Sequence, residues 1–212
     1  MIYTMQYESP LGPIVVSCDD DAITGLWFEG QKYFGSTLPA ESLPKESPSP
    51  GPATSTPSPG STTSTLSPEA TSTPSPATPQ FLHPLLAEAT RWLDIYFSGR
   101  RPDFTPPLRL PSTPFRALVS EIMLAIPYGT TTTYAAVAAE VARRQGRSSS
   151  SAQAVGGAVG HNPISLIIPC HRVVGSNGSL TGYAGGLRRK VALLTLEGTD
   201  TSGLFSPRHP TA

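Results

Sequence analysis

Cysteine is nearly absent from this sequence: of 212 residues only Cys18 and Cys170 are cysteines. A disulfide framework is therefore excluded as the main source of stability, and a reducing compartment is expected. Zinc-ligand spacing is missing too, because no CxxC or HxxxH pattern occurs and the four histidines are scattered. No apolar run approaches the length needed to span a bilayer, and Met1-Ile2-Tyr3-Thr4 does not open a signal peptide, so the chain reads as soluble with no membrane partner. Charge is sparse, at 14% Asp, Glu, Lys and Arg, and sums to zero, which by itself argues against a strong nucleic-acid binder. With 38% hydrophobic residues the chain can bury one or two modest cores.

What is present is unevenly distributed. Residues 1–105 carry 5 Lys or Arg against 11 Asp or Glu, a net of −6, whereas residues 106–212 carry 10 against 4, a net of +6. A phosphate backbone would be drawn to the second half, although a merely solvated basic face fits the charge equally well. Of 24 prolines, ten lie between Pro44 and Pro79, and from Ser47 to Gln80 Leu66 is the only branched aliphatic or aromatic residue. Such a segment buries too little apolar surface to offset its ordering entropy, so about 40–80 is expected to be a disordered linker or loop insertion.

Periodicity organises the remainder. Ile2 to Tyr7, Ile14 to Cys18 and Ile23 to Phe28 are short β-prone runs divided by Ser9-Pro10-Leu11-Gly12 and Asp19-Asp20-Asp21, which predicts a small antiparallel meander. Leu85, Ala89, Trp92, Leu93 and Tyr96 recur at helical spacing between Pro84 and Gly99, predicting a helix on that sheet whose aromatic stripe is core. Thr113-Pro114 supplies a cap and first-turn proline for a helix with Phe115, Leu118, Val119 and Ile122 on its apolar face. Thr133 caps another from Tyr134 to about Arg144, and a serine-rich loop leads to a third from about Ala152 to Gly160. The fold class is α/β in the α+β sense: a small N-terminal antiparallel sheet lobe with a helix, then a mainly helical lobe. Helix, loop, helix is compatible with a helix-turn-helix unit, and taken alone also with two packed core helices.

The third of these helices is made of small residues, among them Gly156, Gly157 and Gly160, although each glycine costs about 1 kcal/mol of helix propensity. Either close helix packing or insertion into a narrow nucleic-acid groove would call for that.

The most informative stretch is Pro169-Cys170-His171-Arg172-Val173, which follows the apolar run Leu166-Ile167-Ile168, read as a short buried strand. Thiolate is the reactive form of cysteine, and His171 is a base that could favour it. An isolated Cys-His pair is more often ordinary core packing. Three neighbours reverse that balance: Ser151-Ala152-Gln153-Ala154-Val155-Gly156-Gly157 upstream, Asn162-Pro163 before the strand, and Thr181-Gly182-Tyr183-Ala184-Gly185-Gly186 downstream.

In that order and spacing, these runs make the segment from Phe115 to Gly198 resemble the catalytic domain of the 6-O-methylguanine-DNA methyltransferases, or methylated-DNA-protein-cysteine methyltransferases. These proteins move an alkyl group from damaged guanine onto their own cysteine. Tyr7-Glu8-Ser9-Pro10-Leu11-Gly12 and Gly30-Gln31-Lys32-Tyr33-Phe34 are similar to the family as well. The resemblance implies a ribonuclease-H-like lobe over 1–105, a DNA-binding and alkyl-acceptor domain with a winged-helix-like helix-turn-helix over 106–200, and a flexible tail over 201–212.

It also implies roles. Cys170 would be the acceptor, His171 would take its proton through a water, and Glu197 would orient the imidazole. Tyr134 would help turn the nucleotide out and hydrogen-bond the purine, Asn162 would tie the glycine-rich helix to the active-site segment, and Val173, Tyr183, Ala184 and Gly185 would line the base pocket. Ala152, Gln153 and Gly156 would meet the DNA, and Arg143, Arg144, Arg147, Arg188, Arg189 and Lys190 would be available to phosphates. The partner implied is double-stranded DNA containing alkylated guanine, met by a monomer in the cytoplasm, or the nucleus of a eukaryote, with no metal and no cofactor. Departures from the family are Gln153 where an arginine is usual, Ala184 where some relatives carry serine, and Ser120 where many show tryptophan. Gln153 lacks the cation and planar guanidinium, so weaker or more salt-tolerant DNA binding is expected. Two rivals stand beside this reading. A cysteine hydrolase would turn over catalytically; a non-catalytic damage sensor or DNA-binding regulator of related architecture is the other, and such sensors lack the acceptor that Cys170 supplies.

Overall fold

The structure is a computed structural model that describes residues 1–39 and 83–205. The Pro/Ser/Thr-rich segment expected to be disordered lies outside the described residues, as do residues 206–212 of the expected tail.

Three strands, β1 (Tyr3–Ser9), β2 (Gly12–Cys18) and β3 (Ile23–Phe28), form an antiparallel sheet in that order. Ser9 pairs with Gly12 across a two-residue turn, which Gly12 closes at φ 103°, a conformation glycine adopts without steric cost. The next turn is held by Asp19, whose Oδ1 accepts from the backbone N–H groups of Asp21 and Ala22 at 3.0 and 2.9 Å. β1 alternates half-buried and exposed residues, as a strand with one wet face does. β3 is buried throughout, because its outer edge is taken by two later segments. Ile23 exchanges backbone hydrogen bonds with Pro107 and Arg109, both at 2.8 Å, and Leu26 with Pro163 and Ser165, both at 2.9 Å. The second pairing anchors the segment that leads to Cys170.

Helix α1 (Pro84–Phe97) lays Leu86, Ala89, Trp92, Leu93 and Tyr96 inward against β1, β2 and β3, as the spacing predicts. Helices α2 (Pro114–Leu124), α3 (Tyr134–Arg144) and α4 (Ala152–Gly160) pack on one another. Thr133 and Ser151 cap α3 and α4 through side-chain oxygens that accept from Ala136 and Ala154, whereas Thr113 makes no side-chain cap and leaves the start of α2 to Pro114. Two short strands, β4 (Thr132–Thr133) and β5 (Val173–Val174), pair in parallel and join the start of α3 to the residues after Cys170. Helix α5 (Leu187–Leu196) follows, with Glu197 as its C-cap. One apolar cluster runs from the sheet through α1 to α4 and takes in Cys170. Ser120 is buried within α2.

The expected strand at Leu166-Ile167-Ile168 is not a strand. Only Ile164 forms a bridge to the sheet, Leu166 sits at φ 69°, and the chain passes through turns into a 3-10 turn over Cys170–Arg172. Residues 201–205 of the expected flexible tail fold back, with the Leu180 N–H donating to Phe205 O at 2.9 Å and the Phe205 N–H to Gly178 O at 3.1 Å. Among the described residues no helix is long and apolar enough to cross a membrane.

Gly25 and Trp27 share one face of β3, and the indole lies over the glycine so closely that a Cβ there would overlap the ring. Gly25→Ala is expected to displace the fully buried Trp27 and cost about 1–3 kcal/mol, the usual penalty for overpacking. Urea unfolding followed by tryptophan fluorescence measures it; a midpoint unchanged from wild type would contradict this packing.

Candidate active site

Pro169 introduces the 3-10 turn Cys170–Arg172, and with three residues per turn the three side chains leave in different directions. Cys170 Sγ accepts a hydrogen bond from Asn162 Nδ2 at 3.1 Å. The same amide group donates to Ile168 O at 2.8 Å and Ile164 O at 3.2 Å, while Asn162 Oδ1 accepts from the Ile164 N–H at 3.1 Å. Asn162 thus joins the end of α4 to the active-site turn and reaches the sulfur itself. Burial pushes the Cys170 thiol above its ordinary pKa, against the Asn162 hydrogen bond and the Lys190 charge, which both favour thiolate.

His171 and Arg172 point instead to Glu197. Glu197 Oε1 accepts from His171 Nε2 at 2.7 Å, Tyr96 Oη at 2.7 Å and Arg172 Nη2 at 3.0 Å. Its Oε2 accepts from Arg172 Nε at 2.8 Å and the Gly129 N–H at 3.1 Å. Arg172 is fixed further by Nη1 donating to Ile126 O at 2.7 Å. Burial alone would raise the Glu197 carboxyl, but the hydrogen bonds from His171 and Arg172 reverse this and hold it down at about 2. Burial lowers the His171 imidazole despite the carboxylate beside it, so the ring is neutral. A carboxylate only accepts, so Nε2 carries the ring hydrogen and Nδ1, buried with no protein partner, is left as the base. No hydrogen bond joins Cys170 directly to His171 among the described residues; a proton passing between them needs a relay.

Tyr134 opens α3, and its hydroxyl donates to Thr181 O at 3.1 Å. Burial pushes that hydroxyl up to about 12, with the Cys170 charge adding to the shift. Gly182 must be glycine here: at φ 85° a Cβ would also overlap the Tyr134 hydroxyl. Tyr183 is buried with its hydroxyl unpartnered, its ring edge-on to His171 at 6.3 Å, and Gly185 leaves room for that ring. Val173 is fully buried, and Ala184 is half-buried on the loop that follows. Cys170, His171, Glu197, Asn162, Tyr134 and Tyr183 therefore converge on one region.

Ala152 and Gln153 are exposed on α4, as is Gly157, and Gly156 and Gly160 are half-buried. Val155, Ala158 and Val159 are the residues that α4 packs inward. A Cβ on Gly157 or Gly160 would meet nothing within 4 Å, and one on Gly156 would only touch Tyr134 at 4.0 Å. Close helix packing does not explain these glycines.

Three residues belong to the site or its support that their sequence context did not reveal. Tyr96, expected as core, donates to Glu197 from α1. Arg172 adjoins Cys170 and His171, so its place beside them was the available signal. Lys190, expected to be open to phosphates, is fully buried; its ammonium donates to Val173 O at 2.6 Å and Thr181 O at 3.1 Å. Burial lowers Lys190 to about 8. Arg189 is likewise engaged, donating to Leu11 O at 3.0 Å, and Arg143 and Arg144 are paired with Glu140 at 2.7 and 2.8 Å. Arg147 and Arg188 remain exposed. Among the described residues no group of three or more His, Cys, Asp or Glu could hold a metal ion.

Glu197→Gln would leave the buried Arg172 cation without its counter-ion and is expected to cost about 3 kcal/mol or more in urea unfolding. The pH dependence has a defined sign. His171 and Glu197 both bind protons less readily folded than unfolded, so their stabilisation is complete above the ordinary histidine value of 6.5. It falls as pH drops below 6.5, and again from the ordinary carboxylate value of 4.5 toward 2. Unfolding free energies at pH 7.5, about 5.5 and about 4 should decline in that order; a flat profile would contradict a neutral His171 held by an ionised Glu197.

Residues 114–199 match the family described as 6-O-methylguanine DNA methyltransferase, DNA binding domain. The chain is 32% identical over 197 residues to the methylated-DNA–protein-cysteine methyltransferase of Mycobacterium leprae, covering 93% of each. It is similar to the crystal structure of Mycobacterium tuberculosis O6-methylguanine methyltransferase, with a TM-score of 0.63 and 33% identity over 93% of both chains. A crystal structure of Mycobacterium tuberculosis OGT in complex with DNA is similar at a TM-score of 0.61 and 30% identity, covering 92% of this chain and 94% of that one.

Proposed function

This chain belongs to the 6-O-methylguanine DNA methyltransferase family, and from that premise we propose that it is a direct-reversal DNA repair protein whose Cys170 accepts the alkyl group of a damaged guanine. The observation that carries the reading is the pairing of two features. The first is a buried thiol near a neutral imidazole held by a carboxylate. The second is a row of α4 glycines, Gly157 exposed and Gly156 and Gly160 half-buried, that has no packing reason within the protein.

Alkyl transfer follows from these parts. The small face of α4 enters the minor groove, where larger side chains would not fit, and Gln153 fills the gap left in the base stack as the damaged nucleotide rotates out. Rotation costs a few kcal/mol of stacking, which the pocket's contacts offset. Tyr134 and the backbone N–H groups near Ala184 hydrogen-bond the purine, since Ala184 has no hydroxyl to offer. With the base in place, the Cys170 proton passes through a water to His171 Nδ1, and Glu197 stabilises the imidazolium that forms. The sulfur attacks the alkyl carbon, a C–S bond forms, and the C–O bond breaks with its electron pair going to the guanine oxygen. Hydrogen bonding or protonation of the departing guanine neutralises that charge. The thioether has no easy hydrolysis route, so each protein molecule, acting as a monomer in the cytoplasm, repairs one lesion. The damaged base is itself the alkyl donor, and the reading calls for no cofactor.

Intact-protein and peptide mass spectrometry after mixing equimolar protein with duplex DNA carrying one 6-O-methylguanine is expected to show one added methyl, on Cys170. Cys170→Ser should gain none. Bound but unchanged DNA with an unmodified Cys170 would make the protein a damage sensor.

The glycine face makes a second prediction. Gly157→Leu, at an exposed helical position with space around it, is expected to stabilise the fold by up to about 1 kcal/mol while weakening duplex binding. Urea unfolding and fluorescence anisotropy measure the two; loss of stability, or unchanged DNA affinity, would count against a groove-inserting α4.

A further inference from the structure

Tyr33 is an exposed aromatic residue in a backbone conformation that aromatic residues avoid, at φ 62°. Gly30 and Gly35, in the same loop, take left-handed angles of 71° and 64° as glycines. At Tyr33 the ring is kept despite the conformation. It stacks on His161 with centroids 3.9 Å apart and planes at 25°. His161 in turn is held at the end of α4, its Nδ1 donating to Gly157 O at 2.7 Å. The adjacent Lys32 N–H donates to Ala184 O at 3.0 Å, and the Lys32 ammonium lies 4.9 Å from the Tyr33 ring centroid.

This turn of the N-terminal lobe is thus fastened at two points, to α4 and to the loop carrying Tyr183. It closes the outer side of a cavity of about 290 Å³ whose other walls are the α4 glycines and residues 182–184. The cavity thus lies between the α4 glycines that the proposed function puts in the groove and the residues near Ala184 that it puts on the extruded base, and the present inference rests on that reading. Planar, apolar and cationic groups side by side match the sugar and phosphate of such a nucleotide.

We propose that the Lys32–Tyr33 turn is the N-terminal lobe's contribution to substrate binding: Tyr33, propped by His161, packs on the extruded nucleotide, and the Lys32 ammonium pairs with its phosphate. The contact forms after extrusion, so binding to DNA that keeps its bases stacked is expected not to depend on Tyr33.

The test uses the full chain and compares three quantities for Tyr33→Gly: the single-turnover methyl-transfer rate at saturating protein, affinity for undamaged duplex, and Tm. Glycine takes the backbone angle freely, so Tm should hold or rise while the transfer rate falls about tenfold, the loss of one aromatic contact. Affinity for undamaged duplex should stay within about twofold. Lys32→Gln should slow transfer several-fold and reduce the salt dependence of that rate by about one unit of slope. A wild-type transfer rate in Tyr33→Gly, or a loss matched by falling Tm or by weaker binding to undamaged duplex, would overturn the proposal. Failure of the repair reading is distinguishable, because the wild-type protein would then transfer no methyl group at all.

Discussion

The buried carboxylate of Glu197 is the constraint on which the site depends. It receives hydrogen bonds from α1 through Tyr96, from the turn at Gly129, and from both residues that follow Cys170. Desolvating a carboxylate is costly, and here the cost is offset because both oxygens are fully engaged and Arg172 supplies the opposite charge. Sheet-covering helix, inter-helix turn and active-site turn are thereby coupled through one side chain. The same contacts settle the tautomer of His171, which is what makes its Nδ1 a base.

Around this hub the backbone places the sulfur. The outer edge of β3 captures residues 163–165, Asn162 bridges from α4 to the turn and to Sγ, and β5 pairs with β4 just beyond. Cys170 is therefore held in a dry position where burial favours the thiol, against the Asn162 amide and the Lys190 ammonium, which favour thiolate. In the proposed function the resting Cys170 is accordingly a thiol, and the nucleophile forms when a substrate and a proton relay complete the site.

Much of this was legible in the sequence where signals are local. α1, α3 and α4 follow the spacing of their apolar residues and their caps, and the hairpin turn at Pro10 and Leu11 follows from its turn residues. The residues around Cys170 were legible because their motifs are dense and specific. Other features depend on partners far along the chain. Tyr96 and Glu197 are 101 residues apart, and nothing in a helical stripe separates a core tyrosine from one whose hydroxyl holds a carboxylate. Lys190 stands beside two arginines and reads as part of a basic surface, yet two backbone carbonyls draw it inside. Leu166-Ile167-Ile168 has strand composition, but an apolar run reports burial and not backbone pairing; the pairing with β3 ends at Ser165. The α4 glycines left two explanations open, and the empty space beside them decided against packing.

The most direct test of a site organised to keep its nucleophile silent is titration of Cys170, from the thiolate absorbance of wild type minus that of Cys170→Ser. Cys170 is expected to titrate above the ordinary thiol value of 9.0, as a buried thiol beside a neutral His171. A titration near or below neutral pH would mean a resting thiolate–imidazolium pair and would contradict the account.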